Sequence, residues 1–336
     1  MGLEVNPVDQ KEKPNQPDPT GLDRVGAPMG DDHPDRDSPK RRVSLFEVLM
    51  ERAIQVTGIS TMLLVALIFL FLLWEGVPAF FEVPLSNLAG ARWYPIEGLY
   101  GLLPLIAGSL LITIGAALLA LPLGVATAIF IAEIAPSWGR EILKPIVEIL
   151  AGIPSVVIGF VGILVVAPLF RTGLNIPTGL TAFTGMVLLA WMALPTVVSV
   201  VEDVLDTVPK TYRDAGLALG MTRWQTISRI LVPAGKSGIL TALMLGVGRA
   251  IGETMTVMMV TGNAPSIPVS PLDIFASVRT MTATIAAEMG EVAQGSTHYH
   301  VLFAVGLTLF VITFVVNLAA ASIVFRRTRR AERMLS

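Results

Sequence analysis

The sequence predicts an all-α polytopic membrane protein with six transmembrane helices and both termini in the cytoplasm. Three observations predict it. First, 53% of the 336 residues are hydrophobic and only 15% are charged, where a soluble domain carries about a quarter charged. Second, six apolar segments meet or approach the ~20 residues that a helix needs to cross hydrocarbon. Third, Lys and Arg gather on alternate linkers. A layered soluble fold must turn polar faces to water, and runs this long have none. Cysteine is absent, which excludes disulfide frameworks and thiolate chemistry. The net charge of −2 is uninformative about partners, because placement of basic residues matters more than their sum in a membrane protein.

Residues 1–42 form an acidic, Pro-rich stretch that includes Asp31, Asp32, Asp35 and Asp37. With almost no large apolar side chains it cannot supply a core, and a disordered cytoplasmic tail is expected. A signal peptide would lead from a basic segment straight into an apolar run; here that run starts only after residue 50, so the first helix is expected to remain in the mature protein. The membrane domain is expected over 43–336. Its first span, 56–74, follows Lys40, Arg41, Arg42 and Arg52, a basic flank that marks the cytoplasmic end. The second, 102–131, carries no charge and is too long for an upright span; Pro122 predicts a kink near Leu121. The third follows Glu148 and continues to Phe170, with Gly152 and Pro154 breaking its regularity. The fourth, 179–201, is interrupted by Pro195. The fifth is 237–261, and the sixth, 301–325, ends in Arg326, Arg327, Arg329 and Arg330.

Counting Lys and Arg tests this topology. With the distal tail set aside, sixteen fall in or beside cytoplasmic segments, including linkers near 140–144 and 202–236, against three outside, Arg92, Arg171 and Arg279. The bias agrees with the positive-inside tendency. Periplasmic loops are expected at 75–100 and 262–300, long enough for caps or short interfacial helices. The run 274–289, with Arg279 and Glu288 towards its ends, is short for a span, and spanning would put the basic C-terminus outside. It reads as a re-entrant or surface helix.

Small residues such as Gly108, Gly115, Gly246, Gly248 and Gly252 suit close helix packing, since lipid offers helices no hydrophobic drive to associate. Gly248 and Gly252 also flank a charge. The fifth span reads GVGRAIGETMTVMMVTGN, which places Arg249 about twelve residues from either end, roughly 18 Å of helix and too far for easy snorkelling. A guanidinium at that depth usually faces a cavity, an ion pair or a pathway. Arg249 and Glu253 are four apart and share a face of a continuous helix. They read either as a clamp on the bundle or as part of an anion path; a packed apolar substitute would serve a clamp as well. Arg suits tetrahedral oxyanions through its planar fork, and Thr254 and Thr256 add hydroxyl donors.

The linker 202–236 reads EDVLDTVPKTYRDAGLALGMTRWQTISRILVPAG from Glu202. Residues 212–219 look helical, Gly220 permits a sharp turn, and 224–231 resumes a helix before Pro233. A DNA-reading helix-turn-helix is poorly served by a loop tethered between spans with Asp206 and Asp214 among its bases, and no nucleic acid is expected. A surface amphipathic helix or a coupling helix for a soluble partner both remain.

At this loop the chain resembles the inner-membrane permeases of ATP-binding-cassette importers. Their signature is a Glu-Ala-Ala triplet, three residues, Gly, nine residues, then Ile, any residue, Leu, Pro. Asp214, Ala215 and Gly216 stand at the triplet, Gly220 at the glycine, and Ile230, Val232 and Pro233 at the close. Both spacings are kept; Asp for Glu, Gly for the second Ala and Val for Leu are the departures. The segments LAGIPSVVIGFVG (150–162), LPTVVSVVEDVLDTVP (194–209) and GRAIGETM (248–255) resemble the phosphate-specific permeases of this superfamily, in which two homologous types, PstC and PstA, pair. The form GRAIGETMTVMMVTGN is similar to the PstC type. The resemblance covers about 45–330.

The resemblance implies the ABC importer permease fold and a heteromeric inner-membrane complex for phosphate. Its members would be this chain, a PstA-type permease, two PstB-type ATP-binding subunits and a PstS-type periplasmic phosphate-binding protein. It also implies that Asp214, Ala215, Gly216, Gly220, Ile230 and Pro233 seat the ATPase, while Arg249, Glu253, Thr254 and Thr256 belong to the phosphate path. The chain has no Gly-rich phosphate loop ending in Lys and Ser or Thr, so ATP hydrolysis is expected in separate subunits. No cofactor or metal is expected: His298 and His300 beside Tyr299 read as a surface polar cluster, and Met255, Met258 and Met259 as flexible packing. An ion-coupled secondary transporter would also suit a buried Arg and Glu, but such proteins often show paired repeats, and no internal duplication is visible. A structural scaffold would leave the central charges and the spaced loop without a reason. Sulfate and molybdate meet the same charge criterion as phosphate.

Overall fold

The computed structural model describes residues 45–267 and 273–335. The tail expected to be disordered lies outside the described residues, as do the side chains of Arg326, Arg327, Arg329 and Arg330. The chain divides at Ile59 into two units, and the second, Ser60–Ser336, holds the helical bundle.

The first long helix, α1, is Leu45–Gly76. A cap follows, built from two short helices, α2 (Ala79–Glu82) and α3 (Leu85–Leu88), and a small hairpin of β1 (Trp93–Tyr94) and β2 (Leu99–Tyr100). The strands run antiparallel with Trp93 opposite Tyr100. The fold is otherwise helical. α4 is Leu103–Ile129 and closes in a π-helical turn, Phe130–Ile134. α5 is Ser137–Ala151. α6 (Ser155–Val161), a second π turn (Gly162–Val166) and α7 (Ala167–Gly173) make one continuous stretch. α8 is Ala182–Thr207, started by the Thr181 hydroxyl, which accepts from the Thr184 N–H at 3.3 Å.

The linker after α8 folds as α9 (Lys210–Ala218), α10 (Arg223–Thr226), a third π turn (Ile227–Leu231) and α11 (Val232–Ala234). α12 is Lys236–Gly252, α13 Met255–Val260, α14 Met281–Glu288 and α15 Thr297–Leu335.

Among the described residues, five stretches are long and apolar enough to cross a membrane: Leu49–Glu82, Leu103–Ile134, Ser155–Gly173, Ala182–Thr207 and Thr297–Ala319. A sixth arises only if Arg223–Ala234 and Lys236–Gly252, bent by 74° to one another, are taken together. α8 is the central rod: 67% of its apolar window is buried within the chain, against 28% for α4 and 22% for α15. Ala, Gly and Val at the contact surfaces let α4 and α8 approach closely. An added Cβ at Gly124 would meet the Val197 side chain at 2.7 Å.

Four expectations are corrected. Pro195 does not interrupt its helix, since α8 runs through it, and α4 likewise continues through Pro122. A proline deletes one backbone bond, and a rod packed along much of its length tolerates that loss. The third span starts at Ser155; the preceding residues form the amphipathic helix α5 where a short linker was expected. Its Leu143 and Val147 pack against the buried cluster that holds Val198, Val201 and Leu205 of α8 with Ala128 and Ile131. Pro233 lies inside α11 and does not end the preceding helix. The expected fifth span is two helices, α12 and α13, separated at Glu253 and Thr254.

At the cap end, Trp93, Leu105, Met281, Leu302 and Val305 form one buried cluster. The run 274–289 contains a single short helix, α14, and Thr280 caps it by accepting from the Ala283 N–H at 3.2 Å. Glu288 gathers three donors there: Arg279 at 2.8 Å, His298 at 2.9 Å and the Trp93 indole N–H at 3.1 Å. His300 lies 2.8 Å from Glu82, so both histidines are held by carboxylates and cap the bundle.

Candidate functional site

Two places combine charge with the ends of several helices: the break between α12 and α13, and the helix-turn-helix after α8.

At the break, Glu253 takes an extended backbone (ψ 130°), which stops α12 at Gly252. Three hydrogen bonds fix the interruption. The Glu253 carboxylate accepts from the Thr256 N–H at 3.2 Å, closing the first turn of α13. The Glu253 carbonyl accepts from the Thr282 hydroxyl at 2.9 Å, and the buried Thr256 hydroxyl donates to the Ser155 carbonyl at 2.9 Å. Thr282 of α14 therefore supplies the Glu253 carbonyl with the donor that a continuous helix would have provided, and Ser155 of α6 anchors the Thr256 side chain beside it. Thr254 donates to the Gly252 carbonyl at 3.3 Å.

Arg249 sits in the last turn of α12, exposed within this chain, where the partial negative charge of a helix C-terminus favours a cation. Its Nη1 donates to the Thr196 hydroxyl of α8 at 3.2 Å. The expected face shared by Arg249 and Glu253 is lost at the break, and among the described residues no ion pair joins them. Glu253 acts on the backbone instead. Added Cβ atoms at Gly248 and Gly252 would meet nothing within 4 Å, so these two glycines border open space and do not pack a neighbour.

At the other site, α9 carries Asp214, Ala215 and Gly216. Asp214 and Ala215 are exposed, whereas Gly216 is buried. A Cβ there would stand 2.8 Å from the Thr226 hydroxyl and 3.0 Å from Ile230 Cδ1, so the glycine admits the second arm of the motif. Gly220 turns the chain at φ +76°, a left-handed conformation that favours glycine. The second arm then starts in a capping box: the Thr222 hydroxyl accepts from the Gln225 N–H at 3.3 Å and the Gln225 side chain accepts from the Thr222 N–H at 2.9 Å. Pro233 is exposed beyond it.

Charged groups that the sequence reading passed over tie this unit to the bundle. Arg213 grips Glu133 of the first π turn, its Nε lying 3.1 Å from each carboxylate oxygen. The same guanidinium donates to the Val208 and Leu205 carbonyls, each at 3.0 Å. Beside it, Glu202 of α8 accepts from Arg140 at 3.3 Å and from Lys144 at 3.5 Å, and Arg140 also pairs with Asp206. Hydrogen bonding to Asp206 raises the Arg140 pKa against partial desolvation, and hydrogen bonding to Glu133 does the same for Arg213. Both cations keep their charge wherever the protein is folded. A cavity of about 280 Å³ opens between Glu133, Arg213, Asp214, Arg223 and Thr226. The pairs join residues 58 to 80 positions apart, a separation that no local pattern announces.

Long apolar helices around a central rod, a helix broken beside a cation, and an exposed helical hook on one end define a multi-pass inner-membrane transport protein. Residues 120–330 match the family described as "Binding-protein-dependent transport system inner membrane component". The chain belongs to that family, the non-catalytic permease subunits of ABC importers. It is 43% identical over 233 residues to the probable ABC transporter permease protein YqgH of Bacillus subtilis, covering 69% of this chain and 74% of that protein. It is 34% identical over 313 residues to the phosphate transport system permease protein PstC of Mesorhizobium japonicum, covering 87% and 94%. A chain of a bacterial alginate ABC transporter shares the fold, with a TM-score of 0.56 and 18% identity over 84% of this chain and 98% of that one.

Proposed function

We propose that this chain is the PstC-type permease of an ATP-driven phosphate importer. In this reading it forms the translocation path with a PstA-type permease, receives phosphate from a PstS-type binding protein and is driven by two PstB-type ATPases. Both termini and the linker 202–236 face the cytoplasm. Asp214, Ala215, Gly216, Gly220, Ile230 and Pro233 form the seat for an ATPase, and Arg249, with Thr254, lines the path; Thr256, expected beside them, is buried with its hydroxyl given to the Ser155 carbonyl and supports the break instead. Glu253 serves the path by holding the break open.

The observation that carries the reading is the setting of Arg249. Its guanidinium has a hydroxyl partner, no carboxylate among the described residues, and open space along its helix face, so its donors are available to a tetrahedral oxyanion. Similarity to PstC proteins over nearly the whole length supports phosphate among the oxyanions. The test is ATP-dependent uptake of labelled phosphate into proteoliposomes holding the full complex, with sulfate and molybdate as competitors and each subunit omitted in turn. Arg249→Gln is expected to abolish uptake while the complex still assembles. Uptake that survives this substitution, or a preference for sulfate or molybdate, would overturn the proposal.

A further inference from the structure

We propose that Arg213 is a positioning residue for coupling: its grip on Glu133 is a closed joint that carries displacement of α9 into α4 and α8. The proposal rests on membership of the ABC permease family and is independent of which solute is carried.

The geometry separates α9 into two faces. Thr211, Tyr212, Asp214, Ala215 and Ala218 are exposed, while Arg213 and the buried Gly216 point into the protein. A partner pressing on the free face moves the bundle through the contacts on the other, through the short Val208–Pro209 link to α8, and through the second arm, whose Ile227 and Leu231 cluster with Ile129 of α4. Gly216 contacts the second arm of the same hook. Arg213 alone of the two reaches the long helices, and it reaches both.

Its guanidinium engages both oxygens of Glu133, at the end of α4, and two backbone carbonyls, Leu205 and Val208, at the end of α8. Carbonyls at a helix C-terminus are short of partners within the helix, and Leu205 has only the Val208 N–H at 3.3 Å. Arg213 therefore completes α8 while pinning α4 and α9 to it. Only a planar fork with donors on three nitrogens fits four acceptors at once; a lysine ammonium is a point donor and would have to release some of them. Glu133 is nearly buried and Arg213 only a quarter exposed, so water competes weakly for the pair.

From the joint the route continues without a gap. α8 is the central rod, and eleven residues before the Thr207 end of α8 its Thr196 accepts from Arg249. Movement of α9 reaches the guanidinium at the break through one rigid helix. A chain of contacts is a route and not yet a coupling, so the measurement must separate transmission from mere stability.

The absence of cysteine from this chain permits paired spin labels at Lys210→Cys on α9 and Leu123→Cys on α4, attached to the purified chain before assembly with cysteine-free partner subunits into the complete transporter. The expected result has two parts. In the otherwise unsubstituted protein the label distance stays the same with and without ATP. In Arg213→Lys and Glu133→Gln the distance distribution broadens, and solute transported per ATP hydrolysed falls about tenfold, within the ~5–150-fold range that coupling energies span, while hydrolysis continues. Arg213→Lys keeps the charge and Glu133→Gln keeps the shape, so loss of assembly is least expected in these two. A label distance that changes with ATP in the unsubstituted protein would overturn the joint. So would uptake and hydrolysis that fall together in proportion to complex yield, which marks a stabilising contact only, or variants that transport normally. The distance measurement decides the joint whichever oxyanion is carried.

Discussion

The ion cluster between α5 and α8 allows a prediction of sign as well as size. Glu202 is 2% exposed, whereas its partners Arg140 and Lys144 are 35% and 42% exposed. Removing the cation and removing the carboxylate should therefore have unequal effects. At 3.3 Å the Arg140–Glu202 attraction is about 5 kcal/mol gross for an effective dielectric of about 20, and desolvation of Glu202 offsets much of it. Arg140→Met leaves the buried carboxylate with Lys144 alone at 3.5 Å. We expect a cost of about 2 kcal/mol, below the ~3–5 kcal/mol for a buried charge stripped of every partner. Glu202→Gln leaves no buried charge; Arg140 keeps Asp206, and Lys144 keeps Asp203 at 3.8 Å. Its cost should stay near 0.5–1 kcal/mol, roughly that of one hydrogen bond.

The assay is the apparent melting temperature of the purified complex at one scan rate, because assemblies of this kind often unfold irreversibly. With ~1–2 °C per kcal/mol for a chain of 336 residues, from ~2.1 cal/mol/K of unfolding entropy per residue, Arg140→Met should lower it by roughly 2–4 °C and Glu202→Gln by about 0.5–2 °C. The decisive comparison is the double variant: adding Glu202→Gln to Arg140→Met removes the stranded charge and should raise the melting temperature above that of Arg140→Met alone. A double variant that melts lower than Arg140→Met would refute the reasoning, since the stranded carboxylate would then not be the source of the cost.

Two further predictions follow from glycines. Gly220 has φ +76° and nothing within 4 Å of an added Cβ, so the penalty there is conformational: Gly220→Val should cost about 1–2 kcal/mol and lower uptake-coupled ATP hydrolysis, while Gly220→Asn, which tolerates the left-handed region, should be nearly neutral in the same assay. A Cβ at Gly108 would collide with the backbone carbonyl of Arg279, whereas one at Gly115 would meet the flexible Met186 side chain. Gly108→Ala should therefore destabilise by about 1–3 kcal/mol and Gly115→Ala by less, read as the difference in melting temperature.

Much of the membrane architecture was legible because hydropathy depends on composition over windows of about 20 residues. The hook was legible for a different reason: Gly220 is a local signal of a turn between two helical stretches, although the capping box of Thr222 and Gln225 that starts the second arm was passed over. The break in the expected fifth span was not. GVGRAIGETMTVMM contains no proline and reads as an unbroken apolar helix; the partner that satisfies the Glu253 carbonyl at the break is Thr282, which comes from a distant segment. α5 was hidden because its polar face, with Arg140 and Lys144, dominates the composition, while its packing residues Leu143 and Val147 only acquire meaning against α8. Glu133 and Arg213 were invisible as a pair, since neither lies in a recognisable spacing and each taken alone is an ordinary charge near a span end.

The corrected geometry changes what Arg249 implies. In an unbroken helix its guanidinium would sit near mid-membrane, at ~2.5–3.5 kcal/mol even on insertion scales, and a carboxylate one turn away would be the natural remedy. Here the helix ends instead, and the cation lies at a C-terminus whose carbonyls favour it. The face around it also differs from a lipid-facing surface. A helix against lipid carries bulky apolar side chains, as the exposed Leu63, Leu64, Leu67 and Ile68 do on α1. α12 places Thr241, Leu245, Gly248, Arg249 and Gly252 along its exposed and partly exposed side, so a single bulky apolar side chain, Leu245, is exposed on this stripe. Apart from Leu245, such a stripe has little to offer hydrocarbon, and its C-terminal part, Gly248 to Gly252, has much to offer a polar solute or a second helix bundle brought close by the glycines. A pairing that neutralised Arg249 within the chain would have closed that option; diverting Glu253 to the Thr256 N–H keeps the guanidinium free and at the same time makes the opening in which it stands.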